Sequence, residues 1–469
     1  MPHPDELAKL FEMKEDLPRA YLRVPPFPGA KVRAIARPRS HPAEALSEAE
    51  VDRLAREMDD LKVGGDYWQP QPAKSSDLRA SVRNGVQSFE YVDPFTGAPM
   101  SIAEAIRLCG FWKDLIDSNR DIGSAVGFAF WKRPTVAPLL CDGAEGPRFV
   151  SRMKDVDMTR AVAVWKARTG SALLGKLESC GAPLIEVEDG FIRSSGLGAD
   201  CVPPLSIVVD RLGAHFDAGK PSELEALIER GPFPPELLER AARLRELIVA
   251  SGLGKYGAGR SNGRDRASDK RYILVPGQVE DDRAVLSGLG DIKTNLALLH
   301  CVRAANPDAH VIYKPHPDVE AGHRAGTLRD EEILRHADEI VRDDPMTALI
   351  QGVDEIHVIS SLAGFEALMR GKAVTTYGTP FYAGWGLTKD LGPVPASRTA
   401  RRSLDELVAA VLLLYPRYLD PVSGLPCPPE VLVRRLAEGA TEQDEGLVVH
   451  LRRLQGRLKK RLAQVGLGR

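Results

Sequence analysis

The chain has 469 residues, 43% apolar and 27% charged, with 63 Lys and Arg against 65 Asp and Glu and a formal net charge of −2. That length exceeds one average domain, and the even charge balance excludes a global pull toward nucleic acid. Six cysteines (Cys109, Cys141, Cys180, Cys201, Cys301 and Cys427) show no C-x-x-C or metal-finger spacing, the N-terminus lacks the apolar core of a signal peptide, and no apolar run is long enough to span a bilayer. The expectation is a reduced, cytosolic, soluble protein of two or three units.

Residues 23–42 are rich in Pro and Arg and read as an extended surface segment or linker. Residues 43–62 read as a helix with an apolar stripe through Leu46, Val51, Leu54 and Met58. Ser101 and Glu104 match a capping box at the start of SIAEAIRLCGFWKDLI. From about residue 120, strands and helices alternate. The runs 161–165, 183–189 and 206–210 are strand-like, with helical KLESCG and LEALIER among them. A Gly-, Arg- and Ser-rich linker over 254–270 precedes a second series, with strand-like runs at 272–276, 310–315, 339–342, 355–359 and 373–378. Alternation twice over predicts an α/β protein of two doubly wound units facing a cleft. This is the outline of GT-B enzymes, and epimerases and phosphorylases share it.

The ends of those strands carry the chemistry. Tyr272–Val275 runs into Pro276-Gly277-Gln278-Val279 and then three acids, Glu280, Asp281 and Asp282. The next strand delivers Lys314 and His316, which suit a phosphate as a point charge and an N–H donor; the plainer reading is a surface Lys and a capping His. Ser360 and Ser361 precede a helix beginning near Leu362, offering hydroxyls and backbone N–H groups, or a simple N-cap. Glu366, one turn inside that helix, suits a ribose diol or a solvated first-turn position. In the first series, Glu188-Asp189-Gly190 ends a strand, either as a turn or as a site in which Gly190 permits φ > 0 or a close ligand approach.

The blocks VEDGFIRSSGLG, ILVPGQVEDDRAV, VIYKPHPDV and SSLAGFEALMRGKAVTTYGTPFYAGWGLTKD, followed by LLLYPRYLDPVSGLPCPPE, resemble the KpsC-type capsule polysaccharide proteins, retaining β-Kdo glycosyltransferases. Their order and spacing cover roughly residues 100–430. The E-D-G, H-P and paired-Ser elements also look like those of bacterial sialyltransferases, which use another CMP-linked 2-keto sugar acid. The best-known relatives carry two transferase modules in one chain; one is visible here.

The resemblance implies a GT-B-like fold of two Rossmann-like lobes. Its plan is an N-terminal extension (1–100), an acceptor-side lobe (101–255), a linker (256–270), a CMP-sugar-side lobe (271–425) and a C-terminal helical tail (426–469). It implies CMP-β-Kdo as donor, a Kdo-terminated lipid-linked acceptor, and neither metal nor other cofactor. His316, Ser360 and Ser361 would hold the CMP phosphate with Lys314 nearby, Glu366 would take the ribose, and Gln278 belongs to the family's Q-V-x-x-D block. Retention by double displacement needs a carboxylate beneath the anomeric carbon. Asp282 takes that role, with Asp281 as the fallback, and Asp189 or Glu188 serves as general base. Arg193, Arg283 and Lys293 are candidates for the sugar carboxylate. The alternatives are another nucleotide-sugar enzyme, sialyltransferase-like or epimerising, and a non-catalytic capsule-assembly scaffold. Finally, residues 447–469 space Leu451, Leu454, Leu458 and Leu462 along a basic stretch without acids. That is either a packed terminal helix or an interfacial one on the anionic inner membrane.

Overall fold

The computed structural model describes residues 20–41, 44–70, 77–144, 146–194, 201–254, 257–258, 270–322 and 324–439. The tail helix expected over 447–469, most of the 256–270 linker and the first 19 residues lie outside them. The chain forms two compact units, Met1–Leu184 with Arg417–Leu432, and Ile185–Pro416 with Val433–Arg469.

In the first unit, the helix Glu48–Asp60 starts at Ser47 in a capping box with Glu50 and buries Val51, Leu54, Ala55 and Met58. The helix Ile102–Asp117 starts at Ser101, whose side chain accepts from the Glu104 N–H while Glu104 accepts from the Ser101 N–H at 2.8 Å. The Pro- and Arg-rich stretch before them is not a surface segment. Leu22, Val24, Phe27, Val32 and Ile35 are buried, and the Phe27 ring packs edge-on to Trp112. Proline kept this stretch out of helices, as its composition suggested, but its spaced apolar side chains belong to the core. Beyond it, Ile122–Val126 is the middle of three parallel strands, flanked by Arg148–Val150 and Ala161–Val164. Val126, Val162, Val164 and Leu177 form the core on one side.

The second unit contains two sheet systems. Leu184–Asp189 and Ser206–Asp210 pair antiparallel, with Glu186 opposite Asp210 and Asp189 opposite Ile207. This departs from the parallel pairing that predominates in doubly wound units. A parallel pair needs a crossover of a dozen residues or more, usually helical, and the described residues of the 190–205 connection contain no helix. The other system is a six-stranded parallel sheet, in chain order Tyr272–Pro276, His310–Lys314, Glu339–Ile340, Glu355–Val358, Ala373–Thr376 and Lys389–Asp390. Numbered that way, the spatial order is 3-2-1-4-5-6, the doubly wound Rossmann order. Ile273, Val275, Val311, Tyr313 and Ile359 pack against Leu298, Leu299 and Val302 of the helix Asn295–Ala305. Chain order reverses between Tyr272–Pro276 and Glu355–Val358, which opens a crevice at their carboxyl ends. Among the described residues, no helix is long and apolar enough to cross a membrane.

Candidate active site

A cavity of about 310 Å³ occupies that reversal point. Its polar wall comprises Glu188, Asp189, Gln278, Asp282, His316, Ser360 and Ser361, and its apolar wall includes Phe191, Phe216, Pro380 and Phe381 with His215 among them. Seven of the thirteen sequence-derived candidates therefore face one cavity, and Arg193, Arg283 and Lys293 are not among them. Asp281, Lys314 and Glu366 are not among the lining residues.

Gln278 organises the wall. It is buried, and its Oε1 accepts from three successive backbone N–H groups: Ile359 at 2.9 Å, Ser360 at 3.1 Å and Ser361 at 3.2 Å. The N–H groups expected to await an anion at Ser360 and Ser361 are thus taken by a side-chain amide. The serine hydroxyls remain at the cavity wall, Ser361 Oγ also accepting from the Ala363 N–H at 3.2 Å. Gln278 is held in turn by Asn295, whose Oδ1 accepts from the Gln278 N–H and whose Nδ2 donates to the Gln278 carbonyl, both at 2.8 Å. Gly277 has no room for a side chain, since a Cβ there would meet the Tyr313 hydroxyl at 2.6 Å.

The three acids after Gln278 point in three directions. Glu280 Oε1 accepts from the N–H of Asn295 at 2.7 Å, at the start of a helix. Asp281 turns to Arg324, whose Nε lies 3.1 Å from Oδ1, and accepts from the Ala325 N–H. Desolvation works against its charge, yet the Arg324 bond and the Ala325 N–H hold its carboxyl below the ordinary value. Asp282 caps the short Arg283–Leu286 helix through the Ala284 N–H at 3.0 Å and faces the cavity, its side chain 48% exposed.

His316 caps the Pro317–Glu320 helix, its Nδ1 accepting from the Asp318 N–H at 3.2 Å. An accepting Nδ1 places the proton of the neutral ring on Nε2, which makes Nε2–H a donor. Lys314, two residues earlier, is buried, and its Nζ donates to the Arg342 carbonyl at 2.8 Å. Burial pushes its ammonium below the usual lysine value, against the pull of Glu320, Asp344 and Asp343. Glu366 is also buried, in the helix Ala363–Met369. It lines a separate cavity of about 20 Å³ that shares Phe191 and Leu362 with the larger one.

On the strand Leu184–Asp189, Glu186 and Glu188 share a face by the two-residue period and both grip Arg283, at 2.6 and 2.8 Å. Arg283 also lies over the Phe216 ring, 4.9 Å from its centroid. Asp189 pairs with Arg193 at 2.9 Å, and Arg193 is 1% exposed and bonds Ser194 and the Val202 carbonyl. Lys293 donates to the carbonyls of Val285 and Gly288 at the end of the Arg283 helix. Arg193, Arg283 and Lys293 are thus all engaged by the protein itself. Gly190 has no positive φ; a Cβ there would lie 2.2 Å from Ser206 Oγ, so its lack of a side chain serves strand contact.

Sequence reasoning missed the aromatic wall. Phe191 packs on Phe381 at 4.8 Å and on His215 at 5.0 Å between ring centroids. His215 and Phe216 follow the strand Ser206–Asp210 by a few residues, so the strand-end logic applied elsewhere, extended to this strand, leads to them.

A model of the capsule polysaccharide biosynthesis protein family matches residues 161–263 and 255–418, more than half of the chain. The chain belongs to that family. LipA, a capsule polysaccharide modification protein of Neisseria meningitidis serogroup A, is 40% identical over 366 residues, covering 77% of this chain and 52% of LipA. The lipopolysaccharide-processing protein LpsZ of Rhizobium meliloti is 46% identical over 240 residues, 50% of this chain and 54% of LpsZ. The chain thus spans about half the length of the curated family relatives it matches. Two solved structures of Thermosulfurimonas dismutans KpsC also align. The β-Kdo 2,4 transferase is 32% identical with a TM-score of 0.58, covering 67% of this chain and 98% of that one. The β-Kdo 2,7 transferase is 36% identical with a TM-score of 0.56, covering 68% and 99%.

Proposed function

We propose that this family member is a retaining β-Kdo transferase that moves Kdo from CMP-β-Kdo to a Kdo-terminated, lipid-linked acceptor in capsule polysaccharide biosynthesis. The observation that carries this reading is one cavity, at the strand-order reversal of a doubly wound sheet, in which the Asp282 carboxylate shares a wall with His316, Ser360 and Ser361. The likeness to two β-Kdo transferase structures supports the sugar class. A GT-B arrangement of acceptor-side and CMP-sugar-side lobes is part of the same proposal.

In the first step, an Asp282 oxygen attacks the anomeric carbon and the bond from that carbon to the CMP oxygen breaks, the electron pair leaving with CMP. His316 Nε2–H and the two serine hydroxyls stabilise the departing phosphate, whereas Glu366, buried on its own small cavity, is not placed to take the ribose. In the second step, an acceptor hydroxyl gives its proton to Asp189 or Glu188. It then attacks the same carbon from the opposite face to Asp282, releasing the carboxylate. Two inversions give net retention. Gln278 acts by positioning, since it holds the Ser360-Ser361 backbone in place. Asp282 suits the nucleophile's role better than Asp281, whose carboxylate is occupied by Arg324.

The test is incubation of the protein with CMP-Kdo and a Kdo-terminated glycolipid, read by mass spectrometry. A product one Kdo heavier, with one CMP released per transfer and no loss of activity in EDTA, is expected. CMP release without that product, epimerisation of a UDP-sugar, or a strict divalent-metal requirement overturns it. Placement at the inner membrane is a further part of the proposal, resting on the basic, Leu-spaced sequence 447–469. Deleting that stretch is expected to reduce salt-sensitive binding to anionic liposomes and to spare transfer to a soluble acceptor; unchanged liposome binding removes the membrane role.

A further inference from the structure

Two loops of the first unit hold chemistry that the reaction above does not use. The strand Ile122–Val126 leads into Gly-Phe-Ala-Phe-Trp-Lys-Arg (127–133), and Ala161–Val164 leads into Trp-Lys-Ala-Arg-Thr (165–169). Because the first of these strands lies between Arg148–Val150 and Ala161–Val164, chain order reverses between the two. At such a reversal an open parallel sheet forms its crevice, at the carboxyl edge. The loops come close there. Gly127 has φ +83°, and a Cβ on it would lie 2.3 Å from Thr169 Oγ1 and 2.5 Å from the Trp165 carbonyl.

These loops carry rings and cations and no carboxylate. Lys132 Nζ sits 3.3 Å over the Trp165 ring, Arg168 lies 5.8 Å from the Trp131 centroid, and Arg133 lies 5.4 Å from that of Phe149. Phe130 is 66% exposed. Among the described residues, neither Arg133 nor Arg168 has a carboxylate within ion-pair distance, so these two guanidiniums are not neutralised by an acid of the fold.

Aromatic faces accept the C–H faces of sugar rings, and guanidinium groups held against a ring pair with carboxylates in a fixed geometry. A neutral glycan has no need of the arginines. We infer that this edge is a binding surface for an anionic saccharide, a chain of carboxylated sugars whose rings stack on Phe130 and Trp131 and whose carboxylates pair with Arg133 and Arg168. That the natural ligand is a Kdo-bearing glycan rests on the transferase reading; the preference for carboxylated sugars rests on the rings and charges alone.

The test titrates the full chain by calorimetry with a β-linked Kdo trisaccharide, with trigalacturonic acid and with maltotriose. Both acidic trisaccharides are expected to bind, with maltotriose at least tenfold weaker. In the double variant Arg133→Gln/Arg168→Gln, acidic affinity is expected to fall tenfold or more and to lose most of its salt dependence. Phe130→Ser is expected to weaken it severalfold at an unchanged melting temperature. CMP titrated into the same variants is expected to bind as in the wild type, which reports a folded chain and an intact Asp282 cavity. If Kdo transfer is absent but trigalacturonate affinity still drops in the double variant, this surface stands without the transferase reading. Equal binding of acidic trisaccharides by wild type and double variant overturns it, as does equal binding of maltotriose. So does a variant-sensitive affinity found only for phosphatidylglycerol vesicles, which makes the edge a lipid surface. A Kdo trisaccharide bound only when carried on lipid counts against it as well.

Discussion

The carboxyl edges of the two parallel strand systems are built alike and furnished differently. In each, chain order reverses between neighbouring strands, and the first of them is left through a glycine without room for a Cβ, Gly277 against Tyr313 in one unit and Gly127 against Trp165 and Thr169 in the other. At the first edge, a buried amide fastens three backbone N–H groups and leaves carboxylates, hydroxyls and an imidazole around a cavity. At the second, indole and phenyl rings stack under Lys132, Arg133 and Arg168. Strand order decides where a protein of this class offers a site, and the six or seven residues after each strand decide what chemistry it offers.

That division is open to attack at several points. The largest effect is expected at Asp282. Asp282→Asn keeps an oxygen for the Ala284 N–H and removes the attacking charge, so transfer is expected to fall roughly a thousandfold or more with CMP binding unchanged. Asp281→Asn, losing its contact with Arg324, is expected to stay within about tenfold of wild type. Steady-state kinetics with CMP titration checks the pair, and a reversed order of the two effects moves the nucleophile to Asp281.

Next come the residues that fix the loops. Gln278→Ala strands three N–H groups and is expected to cost about 3 kcal/mol in urea unfolding and to raise the KM for the donor. Gly127→Ala combines a left-handed φ with a backbone oxygen 2.5 Å from the new Cβ, and about 2–3 kcal/mol is expected. Gly277→Ala meets only the Tyr313 hydroxyl at 2.6 Å and the His316 N at 3.2 Å, without a positive φ, so about 1–2 kcal/mol is expected. Equal losses at the two glycines would mean that the left-handed φ of Gly127 adds nothing to the cost.

A smaller, pH-dependent effect separates the sheet from the cavity it supports. Glu355 accepts from His357 and Thr375 within the parallel sheet, and chiefly the His357 bond, against the cost of burial, brings its carboxyl down to about 2 from 4.5. A carboxylate whose folded value is lowered stabilises the fold above its unfolded value and loses that contribution as pH falls from 4.5 toward 2. The contribution is about 3 kcal/mol at most. Glu355→Gln is therefore expected to lower the urea midpoint at pH 6 and to converge with wild type near pH 2. Parallel curves at all pH values would show that the pair does not contribute through charge.

The second unit's central parallel strands, Tyr272–Pro276, His310–Lys314 and Glu355–Val358, were legible because they are largely apolar and buried between turn signals, whereas the two-residue strand Lys389–Asp390, which carries no apolar residue, was not. The direction of the Ser206 strand was not legible either, because apolar content carries no strand polarity and the connection 190–205 is long enough for either direction. At the site, strand-end logic reached Gln278, Asp282, His316, Ser360 and Ser361. It also reached Lys314, but the last residue of a strand still packs against its neighbours, and the Lys314 ammonium ends at the Arg342 carbonyl. Period and composition place a residue at an edge; they do not say which backbone oxygen its side chain finds first.

The run Glu280-Asp281-Asp282 has a consequence of its own. Glu280 holds a helix start at Asn295, Asp281 the 324–325 segment, and Asp282 the helix at Arg283, with a longer contact to Arg324 at 3.9 Å. The fold therefore reads the interval between Gln278 and Arg283 as a ruler, and single substitutions test only one mark on it. Inserting or deleting one residue in this stretch would shift every carboxylate to its neighbour's partner, so tolerance to changes of length here is expected to be far lower than tolerance to changes of identity.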